Sequence, residues 1–224
     1  MASESVQDYL KAVYSLGRGQ ENVPTSAIAT YLDVAPASVT KMVKRLADEG
    51  YLRHVPYQGV ALTEEGHRAA LRVIRHHRLL ELYLTEALGF PWDLVDAEAE
   101  RLEHVISDEM ESRIDAALGY PTTDPHGHPI PQRDGTLPEE DLVCLDSVEA
   151  GARVAIRRVS DADPELLRYL GGLGLYPGTT VNVCAHVPFG GPIHLQVDGR
   201  DIHLGREPAA HIFVCPLAAE TPSH

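Results

Sequence analysis

Cysteine, methionine and tryptophan are scarce in this chain, with three, three and one among 224 residues. Cys144, Cys184 and Cys215 are far apart, odd in number and form no C-x-x-C pair. That excludes a disulfide framework and a cysteine zinc site, and predicts small buried hydrophobes in a reducing compartment. No run of about 18 apolar residues occurs, so no membrane-spanning helix is predicted. The start, MASESVQDYL, lacks a basic stretch followed by an apolar core, and a cytoplasmic protein is expected. Internal repeats and low-complexity tracts are missing. So are a Gly-rich phosphate loop and a nucleophile elbow.

What is present is acid. The formal net charge is −14, which argues against a protein that coats nucleic acid. The distribution matters more than the sum. Residues 1–78 hold ten Lys/Arg against eight Asp/Glu, whereas residues 79–224 hold nine against twenty-five. Only the first third could face phosphates comfortably.

That first third has a recognisable order. Val6, Tyr9, Leu10, Val13, Tyr14 and Leu16 recur at helical spacing, with Asp8 off the apolar stripe. Pro24-Thr25-Ser26 opens a short second helix ending near Val34. A third, from Pro36 to a Gly50 cap, carries Ser38, Thr40, Lys41, Lys44 and Arg45. Two short helices joined tightly fit a helix-turn-helix. YLRHVPYQGVALT then reads as two strands around Pro56-Tyr57-Gln58-Gly59, a wing bearing Arg53 and His54. This is the winged-helix order, and its basic face predicts double-stranded DNA as partner.

Thr63 should cap a long helix reaching about Leu88, with His77 and Glu81 one turn apart on one face. Such a pair alone is more often an ordinary surface contact. Asp93 starts and Gly119 ends a second apparent helix, whose apolar face is Leu94, Leu102, Val105, Ile106, Met110, Ile114 and Leu118. Beside that face, Asp96, Glu100, Glu103, His104 and Ser107 fall within about 100° of one another. Carboxylates with an imidazole suggest half of a divalent-metal site, although solvated acidic residues are the commoner outcome. Residues 121–145 are Pro/Gly-rich and read as a linker, with His126 and His128 as loop histidines lacking ligand spacing. Five short alternating segments follow, with one helix from Asp163 to Leu170, and suggest a small barrel.

At this point the chain resembles the diphtheria-toxin-repressor and manganese-transport-regulator family of metal-dependent transcriptional repressors. The resemblance runs through SVQDYLKAVY (5–14), PASVTKMVKRL (36–46), LTEEG (62–66), HRLLE (77–81), ERLEHVISDE (100–109) and GHPIP (127–131), and covers nearly the whole chain. It implies a mainly α protein with a small β domain. The expected parts are a winged helix-turn-helix at 1–72, a helical metal-binding and dimerisation domain at 73–125, a linker at 126–146, and an SH3-like domain at 147–218. It also implies a primary metal site of Asp8, Glu100, Glu103 and His104. An ancillary site of His77, Glu81, Asp96 and Glu165 is implied as well, with Asp161 or Asp163 as alternatives to Glu165. Lys11 stands where some members carry a second first-helix carboxylate, which speaks against that form of a two-metal centre.

The hard donor set points to Mn²⁺ first and Fe²⁺ second. The expected protein is a homodimer that binds a palindromic operator when loaded with metal, controlling metal-homeostasis genes; it is neither an enzyme nor a membrane protein and takes no small-molecule substrate. Like charges on Asp8, Glu100 and Glu103 should push the first helix away until a cation joins them. Pro36, Ser38 and Thr40 are the expected base readers, and Lys41, Lys44, Arg45 and Arg53 the phosphate contacts. The competing readings are a metal-independent winged-helix regulator sensing a small molecule and, more remotely, a metal-dependent hydrolase.

Overall fold

The structure, a computed structural model, describes residues 3–55, 58–138 and 140–217. Its chain divides into two compact units. The first holds residues 1–80, 99–122 and 130–137; the second holds 81–98, 123–129 and 138–224.

In the first unit, α1 (Glu4–Leu16), α2 (Thr25–Tyr31) and α3 (Pro36–Asp48) precede a hairpin of β1 (Leu52–Val55) and β2 (Gly59–Leu62). Pro56 and Tyr57, placed by the sequence at the wing turn, lie outside the described residues. The helices form because their apolar residues share one face: Val6, Tyr9, Leu10 and Val13 on α1 meet Ile28, Val39, Val43 and Leu46 in one core. Each fully buried leucine or isoleucine contributes about 2 kcal/mol. Val23 adds a further bridge to Val60, closing the hairpin onto the helices. Helix α4 (Glu64–Leu88) starts where Thr63 Oγ1 accepts from the Gly66 amide. Gly66 is required there, since a Cβ would lie 2.0 Å from the Tyr51 carbonyl oxygen.

The helix expected from Asp93 to Leu118 is two helices, α5 (Asp96–Leu102) and α6 (Asp108–Ala117). Ser107 breaks it: its hydroxyl accepts from the Met110 amide and caps α6, leaving Glu103 and His104 in the intervening turn. Leu94, Val105 and Met110, expected in the core, are exposed. Arg75 of α4 is buried and ties the first unit together, donating to Glu111 at 2.7 Å, Asp115 at 2.5 Å and the Pro131 carbonyl at 2.8 Å. The Glu111 carboxyl is pushed up by burial. Its bonds to His76 and Arg75 outweigh this and hold it down at about 2.

The second unit is built on an antiparallel six-stranded sheet, ordered β3-β8-β4-β5-β6-β7. Its strands are β3 (Val143–Cys144), β4 (Arg153–Val159), β5 (Thr180–His186), β6 (Ile193–Val197), β7 (Arg200–Leu204) and β8 (Ile212–Pro216). The sequence pattern missed β3, a two-residue edge strand, and the five-residue helix α8 (Arg206–Ala210). Alternating Ile193, Leu195 and Val197 on β6 pack with Val154, Ile156, Val181 and Val183 against Leu167 and Leu170 of α7 (Pro164–Leu173). None of the three cysteines is fully buried, and Cys184 is exposed, so the expectation of three core cysteines fails. Among the described residues no helix is long and apolar enough to cross a membrane.

Candidate functional site

Within the first unit, Asp8, Glu100, Glu103 and His104 each bring one ligand atom to within 4.8 Å of the others. Asp8 comes from α1, Glu100 from the end of α5, and Glu103 and His104 from the turn before α6. The His104 Nδ1–H donates to Gln7 Oε1 at 2.8 Å, because that oxygen can only accept. In the neutral imidazole this leaves the Nε2 lone pair facing Asp8 Oδ1 at 3.0 Å. Two acceptors so aimed need a positive charge between them, which a proton or a metal ion can supply. Hard oxygens with one imidazole nitrogen suit a divalent ion of the Mn²⁺ or Fe²⁺ type, so the residues fit the metal that the sequence implies. Burial holds the Asp8 carboxyl above its ordinary value; His104 opposes this, and the neighbouring Glu100 and Glu103 add to it.

Lys11, one turn along α1 from Asp8, reaches into the same place. Its Nζ donates to Glu100 Oε2 at 2.6 Å and to Glu103 Oε2 and Oε1 at 2.8 and 3.0 Å. Glu103 is fully buried and also accepts from His77 Nδ1 at 2.5 Å. Burial pushes its carboxyl up, but the His77 bond and the Lys11 ammonium outweigh that and bring it below the ordinary range. The repulsion expected among the carboxylates is therefore answered within the chain. Glu103 and His104 also line a cavity of about 510 Å³ in this unit.

The residues expected as an ancillary site are divided between the units: His77 belongs to the first, and Glu81, Asp96 and Glu165 to the second. Asp96 is exposed at the start of α5, and Glu165 is exposed on α7. Another set, which shares Glu81, gathers within the second unit. Glu81, His126 and Asp161 each offer a ligand atom within 4.8 Å of the other two, as do Asp124, His126 and His128. Asp161, not Glu165, is the carboxylate from the sheet domain in this set. Glu81 and His126 are both fully buried, contrary to the expectation of a plain loop histidine.

The loop has this shape for local reasons. Asp124 Oδ1 accepts from the amides of His126 and His128, each at 2.9 Å. Gly127 sits at φ +87, and a Cβ there would lie 1.9 Å from the Arg157 carbonyl oxygen. His126 Nε2 donates to the Trp92 carbonyl at 2.7 Å, which aims Nδ1 at Glu81, 3.4 Å away. Burial alone would lower the His126 value; the bond and charge of Glu81, with Asp124, raise it to about 9. His128 Nδ1 stands 3.4 Å from Asp124 and 3.5 Å from Asp161. The signal available in the sequence was D-P-H-G-H, a turn-forming Asp and Gly flanking two histidines.

On α3 the buried residues are Val39, Val43 and Leu46. That spacing leaves Pro36, Ser38, Thr40, Lys41, Lys44 and Arg45 on the exposed side, and Arg53 is exposed on β1. Thr40 Oγ1 donates back to the Pro36 carbonyl at 3.0 Å, and Arg45 pairs with Glu49 at 2.7 Å.

A family model described as the iron dependent repressor, N-terminal DNA binding domain, matches residues 1–60. One described as the iron dependent repressor, metal binding and dimerisation domain, matches residues 63–132, and a FeoA domain matches 143–216. The iron-dependent repressor IdeR of Mycobacterium tuberculosis is 33% identical over 210 residues, covering 88% of this chain and 90% of that protein. The chain belongs to the iron-dependent repressor family. This is a family of transcriptional repressors, not of enzymes. The regulator MntR of Oceanobacillus iheyensis is 36% identical over 120 residues, covering 54% of this chain and 81% of its own. Among solved structures, a manganese-dependent transcriptional repressor in complex with manganese superposes with TM-score 0.85 at 39% identity. It covers 95% of this chain and 100% of its own. The structure of ScaR with bound Zn²⁺ superposes with TM-score 0.76 at 34% identity, covering 95% of this chain and 99% of its own. Dependence on iron is named for IdeR and on manganese for the first solved structure, while ScaR is seen with Zn²⁺, so the named ion differs among them.

Proposed function

We propose that the chain is a homodimeric repressor that binds palindromic operator DNA when a divalent cation, Mn²⁺ first and Fe²⁺ second, is held by Asp8, Glu100, Glu103 and His104. The convergence of Asp8 Oδ1 and His104 Nε2 with the two glutamates carries this reading. A bound divalent ion supplies the positive charge that three gathered carboxylates need. The chain's own residues do the rest. Gln7 fixes the His104 tautomer, His77 orients Glu103, and Asp8 commits α1 to the turn between α5 and α6. With the Asp8 end of α1 joined to His104 through the ion, a link that the Lys11 contacts do not make, the DNA-binding helices of two protomers stand at the separation a two-fold operator requires. Exposed Val105 and Met110 in the first unit, and Leu88, Phe90 and Leu94 in the second, are apolar surface for the partner protomer.

On the DNA face, Pro36, Ser38 and Thr40 read bases, and Lys41, Lys44, Arg45 and Arg53 contact phosphates. The second unit offers a further cation position in Glu81, His126 and Asp161, with Asp124 and His128 beside them. The test is binding of a fluorescent operator duplex, titrated with Mn²⁺ and then with chelator, for wild type and Asp8→Ala. The expected outcome is metal-dependent binding that falls at least about a hundredfold in the variant, the scale of 3 kcal/mol. Tight binding that persists in chelator would overturn the reading and favour a constitutive winged-helix regulator.

A further inference from the structure

The chain has three lysines. Lys41 and Lys44 project from the exposed face of α3, where phosphate contact explains them. Lys11 does not fit that explanation. Its side chain is only 16% exposed, and its ammonium is spent on Glu100 and both oxygens of the fully buried Glu103. His77 Nδ1 also lies 3.2 Å from it, and that nitrogen donates to Glu103. Burying a long charged side chain costs conformational entropy and hydration, so a surface role cannot account for it.

We propose that Lys11 is a tethered cation of the carboxylate centre, with two consequences: it holds α1 against Glu100 and Glu103 when no divalent ion does so, and it sets the ion concentration at which the centre fills. The inference rests on the reading that Asp8, Glu100, Glu103 and His104 hold a divalent ion. Three carboxylates against one ammonium leave a surplus of two negative charges, matched by one divalent ion. The ammonium and that ion draw on the same two glutamates. Lys11 therefore opposes loading twice, by occupying carboxylate oxygens and by like-charge repulsion. A unit positive charge roughly 5 Å from a divalent ion weakens its binding by about tenfold even at the dielectric constant of water. The centre is tuned to respond to a rise in free metal and not to scavenge traces.

The experiment is calorimetric titration of Mn²⁺ into the full chain, wild type and variants. The class of sites abolished by Asp8→Ala is assigned to this centre; if that substitution removes no class, the metal reading itself fails. Given that assignment, Lys11→Met should bind Mn²⁺ at that class about tenfold more tightly or better, and Lys11→Arg should stay near wild type. In chelator, the α1 amides of Lys11→Met should exchange with deuterium faster than those of wild type. Should Lys11→Met not fold, Lys11→Gln takes its place in both measurements. Equal or weaker affinity, or unchanged α1 exchange, overturns the proposal while leaving the metal reading intact.

Discussion

The two acidic clusters of this molecule solve one electrostatic problem differently. Each gathers carboxylates in partly or fully buried surroundings, where uncompensated charge is costly. In the first unit the compensating charge is Lys11, permanently cationic and anchored to α1. In the second unit it is His126, buried between Glu81 and Asp124 and held as a cation up to about pH 9. A lysine competes with an incoming ion but cannot ligate it while charged. A histidine can give up its proton and become a ligand. The first cluster is thus a guarded centre on elements that reach the DNA-binding helices, and the second is a set made by one loop, α4 and the sheet domain. On this view the first governs DNA binding and the second adds metal capacity.

The sharpest way to break this contrast is to disable each cluster in turn. Glu100→Gln should abolish Mn²⁺-dependent operator binding, whereas Glu81→Gln should remove one class of Mn²⁺ sites by calorimetry and leave operator binding within about tenfold. Equal losses would erase the distinction. Next in size is Glu103→Ala, which leaves the Lys11 ammonium with Glu100 alone and frees His77 from its buried acceptor. Breaking a buried pair from one side costs on the order of 3–5 kcal/mol, measurable by urea denaturation in chelator. A loss under about 1 kcal/mol would show that the pair is not the fastening described.

Acid tests a third cluster, around Glu111. The Glu111 carboxyl is lowered from its ordinary 4.5 to about 2, so its contribution is fully present above pH 4.5 and is lost as pH falls towards 2. That contribution is on the order of 3 kcal/mol, and Glu111→Gln should flatten stability across this interval. The smallest effect concerns the DNA face. Lys44→Ala should lower the slope of log affinity against log salt by about one, with no change in which operator is preferred.

Much of this was legible in the sequence, and the failures have causes. Helices α1, α3 and α4 were readable because one apolar face alone explains each. The strands β4 to β8 were readable because alternation and Gly or Pro turns coincide. The break between α5 and α6 was hidden: E-R-L-E-H keeps helical spacing through Glu103 and His104, and a periodicity does not register a turn that preserves it. Ser107-Asp108-Glu109, a capping residue before an acidic first turn, was the available signal. Burial of His126 could not be read from spacing, since its partner Glu81 is 45 residues away and meets it only in three dimensions. Lys11 was visible as an oddity, but its two glutamate partners were not.

The most direct measurement is anomalous scattering at the manganese edge from crystals of the full chain grown with Mn²⁺. A peak is expected between Asp8, Glu100, Glu103 and the Nε2 of His104. No peak there, with manganese found only beside Glu81 and His126, would contradict the proposed centre.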